Sequence, residues 1–262
     1  MSEQNVSTAR VFLALLRRDA HVARREIVFF LIRTTLQPLM FVIIFGFLMP
    51  KMGIVGRNYT SLMLPGIVAI SLAMSAIMSV SFPMIVEFGH TNEIEDRLLA
   101  PVPNQIVAIE KIVSGTIQGV VAAVFILPVS RIIMGPVAGL TFTRLGLLFV
   151  MTILGGAAFA SMGLFLGTAI PPQQVGMMFS VILAPMIMFG CAYYPWIGLN
   201  AVPAMKWGVL INPLVYVAEG LRAALTPGVG HMPLAAITLG LLAIIALFTF
   251  LGLRSFMRRA VR

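Results

Sequence analysis

From Leu62 to Val86 the chain runs for 25 residues without one charged side chain. As a helix at 1.5 Å per residue that run measures ~37 Å, more than the ~30 Å hydrocarbon core of a bilayer. No feature constrains the fold more, because a backbone in lipid must satisfy its own hydrogen bonds and so must be helical or a closed barrel. Five further apolar runs lie roughly at Ile27–Leu48, Ile106–Ser130, Leu145–Ile170, Val175–Ala192 and Leu234–Leu253. The composition agrees: 60% of residues are hydrophobic and 10% charged, where a soluble domain carries about 25% charged. The expectation is an all-α integral membrane protein of six transmembrane helices.

Ahead of the first run, residues 1–26 alternate Arg10, Arg17, Arg18, Arg24 and Arg25 with Val11, Phe12, Leu15, Leu16 and Val22. This predicts an amphipathic interfacial helix whose arginines reach anionic head groups, with membrane lipids as partners. No apolar core followed by a small-residue cleavage site interrupts it, so no signal peptide is expected. Residues 27–262 form the membrane domain. Gln37-Pro38 predicts a kink in the first span, and Arg33 can snorkel from its start. Ser71, Ser75 and Ser79 repeat every fourth residue in the second span, and Gly155, Gly156, Ala160, Gly163 and Gly167 mark the fourth. Such stripes of small residues predict close helix packing, with a polar path as the alternative for the serines.

Between the second and third spans lies an acidic loop, residues 87–105, leading to Lys111. Five of the nine acidic residues, Glu87, Glu93, Glu95, Asp96 and Glu110, fall between Glu87 and Lys111. Asn92 can cap a helix, Glu95 completes a capping box, and Ile94 and Leu98 share a face. Pro101 ends it and Pro103 keeps the exit extended. A short amphipathic helix here would suit docking of a soluble partner; a solvated loop that only reverses the chain remains the alternative.

Residues 193–232 are too long for a turn and too apolar for an ordinary loop. Asn212-Pro213 predicts a helix start, cap then proline, and Thr226-Pro227-Gly228 predicts its end. Glu219 and Arg222 fall at i, i+3 within it. At ~20 Å this helix cannot cross a ~30 Å core, so it is expected to re-enter or to lie on the surface. Tyr193, Tyr194, Trp196, Trp207 and Tyr216 would anchor it at the head groups. If the pair helps hold a gate, Glu219→Gln is expected to impair transport and the charge-swapped double variant to recover part of it; a pair that only staples a surface helix is the alternative.

Six spans put both termini on one side. Arg10, Arg17, Arg18, Arg24, Arg25, Arg33, Arg97, Lys111, Arg254, Arg258, Arg259 and Arg262 would then lie inside. Lys51, Arg57, Arg131, Arg144, Lys206 and Arg222 would lie outside, six of the 18 basic residues. The termini and the acidic loop are therefore expected in the cytoplasm. The net charge of +9 reads as this asymmetry; nucleic acid is not an expected partner.

Catalytic and metal-binding patterns are missing. No GxxxxGK[ST] occurs, so no nucleotide is bound here through a P-loop. His21, His90 and His231 are far apart and outside the predicted spans. Ser161 reads as a packing serine on a glycine-rich helix. Cys191 is the only cysteine, which excludes an internal disulfide. No Asp or Glu falls at the middle of a predicted span, where a proton-coupled carrier generally needs one. Energy for uphill transport is therefore expected from outside the membrane domain. A self-sufficient carrier and a membrane-embedded enzyme remain the alternatives.

Two stretches carry a family resemblance. Glu93-Ile94-Glu95-Asp96-Arg97-Leu98-Leu99-Ala100-Pro101-Val102 resembles the cytoplasmic loop of the ATP-binding-cassette type-2 export permeases. Tyr194-Pro195, Pro203, Asn212-Pro213-Leu214, Tyr216 and Glu219-Gly220-Leu221-Arg222 resemble that family's outer segment before the last span. The resemblance implies a non-enzymatic permease of the bacterial inner (plasma) membrane, dimeric with a second copy or paralogue. Separate P-loop ATPase subunits would hold ATP and Mg, and this chain no cofactor. Asn92, Glu93, Ile94, Glu95, Asp96, Leu98 and Leu99 would form the coupling helix against the ATPase. Tyr194, Pro195, Asn212, Pro213, Tyr216, Glu219 and Arg222 would form an extracellular cap or gate. The implied cargo is an amphipathic drug or a lipid-linked molecule, moved outward.

Overall fold

The computed structural model describes residues 8–25, 27–56, 58–87 and 104–260, and among them every regular element is helical. The coupling-helix residues Asn92–Leu99 lie outside the described residues.

Helix α1 spans Thr8–Arg25, and its Val11 and Leu15 pack on the protein core while Arg17 and Arg18 are exposed. It is tied to the bundle by Asp19, which accepts from the buried Lys111 Nζ at 2.5 Å. Helix α2 begins at Ile27–Phe41 and continues through a π-helical stretch, Val42–Leu48, to Lys51. Helices α3 (Tyr59–Val86), α4 (Asn104–Met134) and α5 (Leu145–Ala169) follow. Helix α6, Pro172–Met188, opens with a 3₁₀ turn and contains a second π stretch, Met178–Leu183. Helices α7 (Pro203–Ile211) and α8 (Pro213–Leu225) meet at a bend of 101°. Helix α9, Leu234–Ala260, closes the chain.

Both π stretches have one cause. Each ends two residues before a proline, and Met49-Pro50 and Ala184-Pro185 follow them. A proline ring clashes with the carbonyl four residues back and has no N–H to offer it. Widening the turn shifts the pairing by one residue: Met49 N–H donates to Ile44 O and Ala184 N–H to Phe179 O. The first span thus departs from α geometry at 42–48, after Gln37-Pro38 rather than at it.

Among the described residues four helices, α3, α4, α5 and α9, are long and apolar enough to cross a membrane, or five spans if α7 and α8 count as one broken span. The first and fifth predicted spans are present as shorter apolar helices, Thr35–Lys51 and Pro172–Met188. Helix α4 runs past its predicted end at Ser130 to Met134, taking in Arg131, and stops at Gly135, whose φ of +75° favours a residue without a Cβ.

The core is organised on α3, whose residues are nearly all buried. Helix α5 crosses it at the predicted glycine pair. A Cβ on Gly163 would sit 2.8 Å from Ile77 O, and one on Gly167 would sit 2.8 Å from Ser81 Cα. Helix α4 packs on another face through Gly115 and Gly119, against Val80, Ala76 and Leu72. Ser75 donates to Gln118 O at 3.1 Å and Ser71 to Ala122 O at 3.4 Å. Ser71 and Ser75 therefore glue α3 to α4, while Ser79 donates within α3, to Ala76 O at 3.1 Å. Helix α9 covers α5 from outside, with Ser161 and Thr249 hydroxyls 3.0 Å apart.

Candidate functional site

Helix α8 is not a surface helix. From Pro213 to Leu225 every residue except the half-buried Tyr216 is buried. It packs on α3, α5 and α9, and its sequence signals read as expected. Asn212 caps it, its Oδ1 accepting from Leu214 N at 3.0 Å, and Pro213 fills the first position. The other end of that side chain donates from Nδ2 to Met186 O at 2.7 Å, which fastens the elbow to α6. The C-terminal carbonyls are met from the α4–α5 connection: Arg144 Nη1 donates to Ala223 O at 3.2 Å and Thr141 N to Leu225 O at 2.9 Å.

Glu219 and Arg222 lie at the centre of this arrangement, both with no exposed surface. Their ion pair joins Arg222 Nη1 to Glu219 Oε1. The second guanidinium nitrogen, Nη2, donates to Cys191 O at 2.9 Å and to Leu62 O at 3.1 Å. The carboxylate accepts from Trp196 N at 2.9 Å on Oε1 and from Met232 N at 2.8 Å on Oε2. One side-chain pair thus ties α8 to the start of α3, the turn after α6, the segment beginning at Trp196 and Met232, two residues before α9. Two buried charges are costly in isolation, and here both are paired and hydrogen-bonded on several sides.

The partners on the backbone side needed special geometry. Cys191 has φ +52°, left-handed for a residue with a Cβ, and it presents its carbonyl to Arg222. Ala192, next in the chain, presses on α3 at Gly66, where a Cβ would fall 1.9 Å from Ala192 O. Only glycine allows that approach.

The aromatic cluster is mostly structural. Tyr193 stacks at a tilt on Phe41 and Phe45 of α2, with centroids 5.1 and 5.7 Å away. Tyr216 donates to Leu210 O at 2.8 Å and rests against Gly240 of α9. Trp196 Nε1 donates to Lys206 O at 3.0 Å, while the Lys206 ammonium lies 4.3 Å over its ring. Burial pushes the Tyr194 phenol above its ordinary value, and the Cys191 thiol adds to the shift. Of the five expected interfacial anchors only Trp207 is largely exposed, at 66%.

Of the predicted cap residues, Asn212, Pro213, Tyr216, Glu219 and Arg222 lie on α8 or at its cap, and Tyr194-Pro195 immediately precede Trp196, whose N–H donates to Glu219. The sequence did not disclose Leu62, Cys191, Trp196 and Met232 as their partners, because these act through backbone groups that every residue carries. Gly66, alone in the charge-free run, was the one available sign of a close approach. Among the described residues no group of three or more His, Cys, Asp or Glu is arranged to hold a metal ion.

The sequence model of one family, the ABC-2 type transporter, matches residues 10–226. No curated protein matches the chain.

Proposed function

The chain belongs to the ABC-2 type transporter family, a membrane transport component, and we propose that it is the permease subunit of an ABC exporter. The match over residues 10–226 carries this reading, and no P-loop occurs in these 262 residues. In the proposed complex two permeases, copies or paralogues, stand on P-loop ATPase subunits that hold ATP and Mg. Residues 87–105 face the cytoplasm with both termini, and Asn92–Leu99 form the coupling helix that receives the ATPase stroke. The membrane is the bacterial inner membrane, and the cargo is an amphipathic drug or lipid-linked molecule.

Residues 193–232 then form the outer gate, with α7 and α8 as a re-entrant hairpin. Glu219 and Arg222 support this role because five separate segments meet at them, so a tilt of one helix is passed to the others. Movement between packed arrangements is how such bundles alternate access. The buried carboxylate of Glu219 does not favour a proton-coupled carrier: its oxygens are taken up by Arg222 and two backbone N–H groups.

The test is co-expression with a candidate P-loop subunit followed by reconstitution into vesicles. Efflux of a fluorescent amphiphile should require both chains and ATP. Efflux by this chain alone, driven by a proton gradient, would overturn the reading in favour of a self-sufficient carrier.

A further inference from the structure

A groove of about 640 Å³ lies between α5, α6, α9 and the α7–α8 elbow, apart from the Glu219–Arg222 centre. Its volume falls within the range of small-molecule pockets. From the elbow at Asn212 it reaches Phe248, fourteen residues into α9 and so ~21 Å along that helix. Met162, Met186 and Met205 line it, and flexible thioethers adapt to a ligand without a fixed shape. Asn212 is the one hydrogen-bonding side chain in the wall, and both of its ends are engaged, with Met186 O and Leu214 N.

This wall cannot serve a polar ligand, whose groups would lie there without partners at a cost of several kcal/mol each by order of magnitude. A hydrocarbon chain has nothing to satisfy. The groove is also open at the side. Leu239, Leu242, Leu247 and Phe250 are exposed on the side of α9 turned away from Phe248, and in the wall itself Phe189, Val181 and Ile211 are 51%, 63% and 89% exposed, an apolar face turned outward. In a membrane that face is bathed in acyl chains. Exposed Trp207, beside the lining residue Gly208, marks the head-group level at one end, and Phe248 lies at hydrocarbon depth at the other.

We propose that this groove is a lipid site that takes one fatty-acyl chain laterally from the surrounding bilayer. The occupant lies against α6 and the elbow together, across the Asn212–Met186 bond that fastens them. The site does not depend on the identity of the exported cargo or on the ATPase.

Gly208 supplies the test, since it lines the groove and a Cβ there meets nothing within 4 Å, so a larger side chain can be started from the wall. Gly176 on α6 is equally open but is not in the wall, and serves as the control. The full-length chain is reconstituted in phosphatidylcholine vesicles containing a phosphatidylcholine with a diazirine in its acyl chain, irradiated, and the adducts mapped. Adducts should concentrate severalfold on Met186, Phe189 and Met205 over the outward leucines of α9. Gly208→Trp should remove that excess and Gly176→Trp should keep it. Equal labelling of groove and α9, or an excess that survives in folded Gly208→Trp, overturns the proposal. Should Gly208→Trp not fold, the wild-type ratio decides alone. High-yield thiol crosslinking between copies of Phe189→Cys would place a second copy in the groove and also overturn it.

Discussion

Glu219→Gln is the sharpest perturbation of the Glu219–Arg222 centre. The amide is nearly the same size, so packing is kept and the change is electrostatic. Glu219 uses three acceptor contacts: Oε1 takes Arg222 Nη1 and Trp196 N, and Oε2 takes Met232 N. An amide offers one oxygen, so its NH₂ must face a donor, either Met232 N–H or the Trp196 and Arg222 pair. Arg222 would meanwhile keep its charge, fully buried, with only neutral oxygens beside it: Cys191 O, Leu62 O and at best the amide oxygen of residue 219. Removing one partner of a buried pair costs about 3–5 kcal/mol, or roughly two to three and a half decades in the folding equilibrium. Arg222→Gln should cost a similar amount; Arg222→Lys should cost less, keeping the charge and losing the planar fork. Reversing the pair should not rescue it, contrary to what a surface pair would allow. A guanidinium at 219 would face two N–H donors, and a carboxylate at 222 would face two carbonyls. The assay is denaturant unfolding of detergent-purified protein, followed by tryptophan fluorescence, alongside amphiphile efflux. If Glu219→Gln costs under about 1 kcal/mol and the reversed pair matches wild type, the reasoning from burial and bonding is wrong.

Gly66→Ala should destabilise by the upper part of the ~1–3 kcal/mol overpacking range or beyond, because its Cβ would strike the Ala192 backbone. Gly56→Ala, with open space around it, should be near neutral in the same unfolding assay. Leu98→Asp should weaken ATPase association by several kcal/mol, by order of magnitude, if Leu98 docks as proposed; unchanged pull-down and stimulated ATP hydrolysis would remove the coupling role. A cysteine at exposed Gly228 should label from outside intact cells and one at Asn92 only after permeabilisation. The native Cys191 is buried and should stay silent; outside labelling at Asn92 would invert the topology.

How far the sequence reached depended on whether the deciding groups were side chains in a local pattern. Helical class and membrane residence followed from charge-free runs such as 62–86, since lipid leaves the backbone little else to form. Close packing at Gly163 and Gly167 followed from the absence of side chains at one helical spacing. The start, cap and end of α8 followed from Asn212-Pro213 and Thr226-Pro227-Gly228, because capping is settled within four residues. The resemblance in the loop and outer-segment motifs pointed to the same family that the match over residues 10–226 reports. Only tertiary structure decided that α8 is buried and not laid on the surface. Length and amphipathicity describe the helix alone, whereas its burial depends on α3, α5 and α9 closing round it. Likewise the i, i+3 spacing of Glu219 and Arg222 announces a pair on any helix, exposed or not. That they also hold Leu62, Cys191, Trp196 and Met232 was beyond sequence, because those contacts are made to backbone N–H and C=O groups, identical at every position until the fold selects which ones meet.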